Sequence, residues 1–219
     1  MNINSYLDVS SPRLFPLMLI ERSQHIFADL INPDKRDLAV TVSMAEMLDL
    51  SGRCHFHANL IGESSLKPNS FDLVTSMSVI EHISDDNAAI RKIWDLLKPG
   101  GKLLISLPCA SKAFEEYMNL NDYELDQADE NGFVFFQRFY DEKLLQKRVF
   151  SVTGKPQRYQ IYAEKQAGSY QKNETEKRTN PFYPFWRDPF MMGLQYDFKK
   201  RLSELPGIGV IAMEFVKTN

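Results

Sequence analysis

A chain of 219 residues that is 43% hydrophobic can bury a full core, and its formal charge of −3 gives no electrostatic reason to expect nucleic acid as a partner. Its two cysteines, Cys54 and Cys109, make no disulfide framework, which favours a reduced, cytoplasmic setting. No apolar run approaches the roughly 20 residues that span a bilayer, and the N-terminus lacks a basic stretch followed by a long apolar one, so neither an integral membrane segment nor a signal peptide is expected.

Strand and helix signals alternate from the start. Tyr6-Leu-Asp-Val9 is a short apolar run and a first strand. Leu14 to Arg22 suits a short buried helix, with Pro12 and Pro16 confined to its approach and first turn. His25 to Leu30 reads as a second strand closed by Asn32-Pro33, and Asp34 to Leu50 as a helix with an acidic start. Within that helix Val40-Thr41-Val42 pulls toward strand, because β-branched side chains are stiff at χ1. Cys54 to Leu60 is the third strand.

The centre is the best-specified part. Phe71-Asp-Leu-Val-Thr-Ser-Met77 is a buried strand leading to the polar crest Glu81-His82. Ser84 or Asp85 can cap the helix that follows, Asp86 suits the positive end of its dipole, and Ala89, Ile90, Ile93, Trp94 and Leu97 recur at helical spacing. Pro99-Gly100-Gly101 ends it, and Lys102 to Leu107 is a strand apolar on both faces. This is one right-handed βαβ unit of a parallel sheet.

Beyond Pro108 the pattern loosens. Ser111 to Asn131 is polar and acidic without a clean period; Phe133 to Phe150 is aromatic and then helical around Asp141 to Lys147. Arg158 to Ala163 and Gly207 to Val216 read as strands, and Gln166 to Thr179 is polar enough to be mobile. The aromatic run Pro181 to Met192 suits a lid over an apolar substrate, a membrane-surface contact, a homodimer face or a satellite core; its three prolines argue against an interfacial helix. The expected architecture is α/β: a Rossmann-like, doubly wound, mostly parallel seven-stranded sheet with an antiparallel last strand. It forms one domain over residues 1–219, with insertions at about 111–135 and 166–200.

In such a sheet ligands bind at the carboxyl ends of the strands. Asp8 ends the first strand and Asp29 the second, twenty-one positions on. That interval suits an acid accepting hydrogen bonds from both ribose hydroxyls of a nucleoside; Asp29 equally suits the Asn32-Pro33 turn. Asn59 can contact an adenine amino group or cap a turn. His82 has the residue type and position of a general base, with Glu81 to orient it, contact a cofactor or help hold a metal; both also suit a helix approach. His55 and His57 share one strand face, but no third ligand is spaced to complete a metal site, so no metal is expected.

The stretch Ser70 to Pro108, with Phe-Asp-Leu-Val, Glu-His-Ile and Leu-Lys-Pro-Gly-Gly, closely resembles the second half of a class I S-adenosylmethionine-dependent methyltransferase. Asp8 and Asp29 match that family's first-strand and second-strand acids. The resemblance implies S-adenosylmethionine as cofactor, bound through Asp8, Ser10, Asp29, Leu30, Asn59, Leu60 and Ser76, with catalytic roles for His82 and Glu81. It implies methyl transfer to an oxygen, nitrogen or carbon of a small, partly apolar acceptor such as a sugar- or lipid-linked metabolite.

The departure lies in the first loop. Where the family carries spaced glycines, this chain reads Ser10-Ser11-Pro12-Arg13-Leu14. Glycines let backbone approach the cofactor closely; Ser and Pro add bulk, Pro12 removes an amide donor, and Arg13 can fill the space or pair with Asp8 or Asp29. The first strand also begins within a few residues of Met1, where the family usually has covering helices before it. Two readings follow: an active methyltransferase, or a catalytically silent methyltransferase-like module that binds a partner protein or another ligand. A third reading, a nicotinamide dehydrogenase, is discounted for want of Gly-x-Gly-x-x-Gly.

Overall fold

Hydrophobic runs separated by amphipathic ones give alternating strands and helices: β1 (Ser5–Val9), α1 (Leu14–Arg22), β2 (Phe27–Ile31), α2 (Lys35–Met47), β3 (Cys54–His57), β4 (Phe71–Met77), α3 (Asp86–Leu96) and β5 (Leu97–Ala110). The computed structural model describes residues 3–119 and 128–218, so part of the expected first insertion lies outside the described residues. A two-stranded antiparallel ribbon follows, β6 (Phe114–Met118) with β7 (Val134–Phe139). Next come α4 (Glu142–Leu145), a π-helical stretch (Gln146–Phe150), α5 (Ser151–Thr153), β8 (Arg158–Glu164), α6 (Ser169–Thr179), α7 (Asp188–Gln195), β9 (Tyr196–Lys199) and β10 (Ile208–Val216).

Eight strands form one sheet in the order β3-β2-β1-β4-β5-β10-β8-β9. β1 to β5 are mutually parallel, β10 is antiparallel to both β5 and β8, and β9 is antiparallel to β8. The expected Rossmann-like, mostly parallel sheet is therefore present, with one strand more than expected. The addition is β9, an edge strand laid on β8 where the chain returns from α6 and α7. Because both are antiparallel to β10, β8 and β5 run the same way.

Helices cover both faces, as their apolar stripes require. α3 turns Ala89, Ile90, Ile93 and Leu96 into a core shared with Leu103, Ile105, Leu107 and Phe215. On the opposite face α1 buries Leu17 and Ile20 against Tyr6, Ala28 and Leu30. Each buried Leu, Ile or Phe among them contributes roughly 1.5–3 kcal/mol of burial. Asp85 caps α3 as expected, its carboxylate accepting from the Ala88 amide at 3.1 Å. Asp34 caps α2 in the same way through the amides of Arg36 and Asp37.

The Pro-Gly-Gly turn works differently from the expectation that the strand waits for Lys102. β5 pairs from Leu97, opposite Phe71, and shifts register before Lys102 meets Leu73. Gly100 takes φ +77, and a Cβ on Gly101 would stand 2.8 Å from the Lys98 carbonyl. Only glycine fits this hook. Two further corrections concern the second insertion. Residues 169–179, expected to be mobile, form α6, anchored by the Tyr170 amide on Glu164 and by Asn173 on Gln195 at 2.7 Å. Residues 188–195 form α7 despite Pro189, which sits in the first turn, where a missing amide costs nothing.

Candidate functional site

Strand order reverses between β1 and β4, so the chain leaves these neighbours in opposite directions and a crevice opens at their carboxyl ends. A cavity of about 570 Å3 occupies it. Its lining comes from Val9 and Ser10 after β1, residues 31–34 and Asp37 around the start of α2, and residues 59–63 after β3. Ser78, Val79 and His82 after β4, residues 83–85 with Ala88 and Ala89, and Val134, Phe135 and Phe136 of β7 complete it.

Behind the β1 exit stands Asp8, 3% exposed and outside the lining. It accepts hydrogen bonds from the Thr75 hydroxyl at 2.6 Å, the Tyr6 hydroxyl at 3.1 Å and the Ser11 amide at 3.0 Å. Burial pushes its pKa upward, and those bonds oppose the shift. Asp8 thus shapes the loop from within. Ser10 follows in the left-handed region at φ +53, the conformation that glycine normally supplies. Its hydroxyl and amide both donate to the Ile31 carbonyl, at 3.0 and 2.9 Å, and the Ser11 hydroxyl accepts from the Met77 amide at 2.9 Å. Serine hydroxyls hold the turn that glycines would otherwise leave open. The amides of Ser10 and Ser11 are consumed in doing so, and Pro12 has none.

At the second strand the pairing Val9 to Ile31 carries β2 one residue past the expected end. Asp29 therefore sits within the strand, outside the cavity lining, 2.6 Å from the Nε2 of His57. The residues that do reach the cavity are Asn32, Asp34 and Asp37. The Asn32 amide donates to Asp37 at 2.8 Å, and the Arg13 guanidinium pairs with the same carboxylate. Asn59 and Leu60 line the cavity; Leu30 and Ser76 are buried outside its lining, Ser76 donating to the Val9 carbonyl at 3.3 Å.

The crest after β4 divides its two residues. The His82 ring lines the cavity; its Nδ1–H donates to the Phe136 carbonyl at 2.7 Å, and the ring meets Phe136 edge-on at 5.1 Å between centroids. That bond fixes the tautomer and leaves the lone pair on Nε2. Burial holds the ring's pKa below its ordinary value, so at neutral pH the imidazole is uncharged. Glu81 is 2% exposed and outside the lining. Its Oε2 has no hydrogen-bond partner among the described residues, and burial raises its pKa to about 7.

A stability prediction follows from the sign of that shift. Glu81's contribution is fully present below its unfolded value of 4.5 and is lost as pH rises through about 7. Urea denaturation between those limits is expected to show the wild type losing on the order of 3 kcal/mol relative to Glu81→Gln. Parallel stability curves for the two proteins would show that the carboxyl is already ionised and solvated.

The β7 wall is pinned by a buried ion cluster. Asp86, fully buried, accepts from the Tyr140 hydroxyl at 2.6 Å, from Arg148 at 2.6 Å and from Arg138 at 2.9 Å. Arg138, 4% exposed, also pairs with Glu115 of β6 at 2.9 Å. Asp86 is thus a clamp between α3 and β7 as well as a first-turn acid. Among the described residues no cluster of three His, Cys, Asp or Glu is arranged for a metal, and no helix is long and apolar enough to cross a membrane.

Comparison with known proteins bears on this arrangement. The family model described as "Methyltransferase domain" matches residues 19–153. A ubiquinone biosynthesis O-methyltransferase of Xanthomonas euvesicatoria pv. vesicatoria is 55% identical over 40 residues, 18% of this chain and 17% of that protein. Phosphoethanolamine N-methyltransferase 1 of Arabidopsis thaliana is 41% identical over 69 residues, 29% and 14% of the two chains. The chain spans less than half the length of these curated relatives. Among solved structures, MccD protein superposes with a TM-score of 0.62 at 13% identity, covering 98% of this chain and 90% of its own. An O-methyltransferase from a trans-AT PKS multienzyme of Brevibacillus brevis, in complex with S-adenosyl-L-homocysteine, gives 0.62 at 11% identity over 99% and 67%. At these identities the two structures share the fold.

Proposed function

We infer that this chain, which belongs to the methyltransferase-domain family, transfers a methyl group from S-adenosylmethionine to a small, partly apolar acceptor. The observation that carries this reading is one cavity bounded by two chemically distinct halves. One side, Ser10, Asn32, Asp37 and Asn59 with the apolar Leu60 among them, is mainly polar and suits a nucleoside; the other, His82 with Val134, Phe135 and Phe136, is an apolar wall holding a neutral imidazole. Its volume of about 570 Å3 lies within the usual range for small-ligand sites.

The residues present fit the cofactor through the path of the chain. Ser10 keeps the left-handed turn, and its hydroxyl bonds back to Ile31, so the loop follows a glycine-like course without glycine. We assign the ribose hydroxyls to Asp37, steadied by Asn32 and Arg13, in place of Asp29, because Asp37 lines the cavity and Asp29 does not. Asn59 and Leu60 take the base. Bound there, S-adenosylmethionine supplies an electrophilic methyl group. The protein's own part is to align the acceptor, exclude water with the β7 wall, and take a proton at His82 Nε2.

Asp37→Asn is expected to weaken S-adenosylhomocysteine binding about tenfold or more, since bonds to a charged acceptor contribute roughly 1.5–3 kcal/mol. Calorimetric titration against wild type and Asp29→Asn checks the assignment; a loss confined to Asp29→Asn returns the role to that residue. The loop chemistry favours one other reading, a catalytically silent binding module, because Ser10, Ser11 and Pro12 offer no unspent amide to a ligand. The wild-type titration separates the two: micromolar affinity supports the enzyme, and no heat at millimolar ligand with folded protein supports the silent module.

A further inference from the structure

We propose that the segment from Lys165 to Arg201 docks this protein onto an anionic lipid surface. Its phenylalanines and tryptophan face solvent, while Tyr183 and Tyr196 are buried: Phe182 is 89% exposed and Trp186 72%, with Phe185, Phe190, Leu194 and Phe198 also exposed. Soluble proteins rarely leave so many large apolar groups together in water unless they meet something. Phe190 and Leu194 stand one turn apart on α7, and Phe198 lies on β9, which follows directly.

Charge selects the occupant. Residues 165–201 carry eight Lys and Arg against four Asp and Glu, although the whole chain is net −3. Lys172, Arg178, Lys200 and Arg201 are exposed. Exposed aromatics on a segment of net positive charge, with Lys200 and Arg201 following Phe198 in the chain, match the headgroup zone of a bilayer, where rings sit at the interface and cations meet lipid phosphates. A second copy of the same segment would bring two net positive charges together, which like-charge repulsion disfavours.

Position gives the contact a consequence. β8 runs parallel to β5, so its end at Glu164 lies on the same sheet edge as the cavity, and α6 and α7 rise from there before β9 returns. α6 also faces β6 across a second hollow lined by Glu116, Tyr117, Tyr170 and Arg178, and β6 pairs with the β7 cavity wall. Docking through this segment sets the cavity-bearing edge beside the membrane, where an apolar acceptor is available. The docking does not depend on whether a methyl group is transferred.

The test is flotation of the full chain with phosphatidylcholine vesicles, with and without phosphatidylglycerol, together with Trp186 emission. Binding only to the phosphatidylglycerol vesicles, weakened by salt and accompanied by a blue shift, is the expected result. A Trp186→Ser, Phe190→Ser double variant and a Lys200→Glu, Arg201→Glu double variant should each lower the bound fraction roughly tenfold or more, with unchanged circular dichroism. No binding to the anionic vesicles overturns the proposal. Light scattering that shows a dimer dissolved by the aromatic variant, without vesicle binding, overturns it in favour of an interface between copies.

Discussion

Asp86→Ala is expected to lower folding stability by about 3–5 kcal/mol, because it leaves the buried Arg138 and the half-buried Arg148 without their shared counter-ion. Arg138 is 4% exposed and donates to Asp86 at 2.9 Å, while Arg148 and the Tyr140 hydroxyl each approach at 2.6 Å. With the carboxylate gone, Arg138 keeps Glu115 and long bonds to the Ile83 and Ser84 carbonyls, at 3.4 and 3.3 Å. These do not neutralise two guanidinium groups. The damage should also reach the cavity, since Arg138 and Tyr140 flank the end of β7 and Phe136 offers its carbonyl to His82. Urea denaturation gives the stability, and fluorescence or NMR of the β7 aromatics reports the wall. Tyr140→Phe, which leaves both ion pairs in place, should cost only about 1–3 kcal/mol. A loss below about 1 kcal/mol for Asp86→Ala would mean that solvent reaches the cluster and that the clamp is not a source of stability.

That cluster also shows what the sequence could and could not reveal. Local patterns carried α1 and α3 almost to the residue, because apolar spacing, a capping Asp85 and a Pro-Gly-Gly stop all act within a few positions. The same locality read Asp86 as a dipole partner alone, since its cations lie 52 and 62 residues downstream and no short window contains both. Asp29 shows a different limit. The strand that holds it is legible, but where β2 stops depends on pairing with Val9 and His57, and one added residue moves the strand exit to Asn32. Ser10 and His82 reach the cavity where a strand end and a conspicuous crest mark them, whereas Asn59 and Leu60 reach it from the loop after β3, which stops at His57 rather than at Leu60. Asn32 and Asp37 carried a usable signal in the Asn-Pro-Asp turn at the start of α2. Phe135 and Phe136 carried none, because a ribbon inserted after the main βαβ units has no fixed address in the sheet. α6 was hidden by its polarity; what holds it is the buried Glu164 at its start and the Lys177–Asp188 pair at 3.2 Å near its end.

His82→Ala should reduce turnover by roughly 10²–10⁴-fold, the usual worth of a positioned general base, while S-adenosylhomocysteine affinity stays within about twofold of wild type. The separation between the two readouts is the point, because a ring that merely filled the cavity would change both. Protonation logic makes a second demand. The Phe136 carbonyl accepts a hydrogen bond from Nδ1–H and burial disfavours the imidazolium, so the imidazole is neutral and able to accept a proton down to a pH below its ordinary value of 6.5. Activity should therefore rise with pH along a limb centred below 6.5 and then level off. Glu81 ionises nearby at about 7 and adds a separate inflection, which Glu81→Gln should erase without moving the lower limb. His82→Gln keeps a donor for the Phe136 carbonyl and the volume of the ring but cannot accept a proton near neutrality. It should preserve stability and remain as slow as His82→Ala. Wild-type turnover in the glutamine variant would assign the proton to another group and leave His82 a positioning residue for the β7 wall.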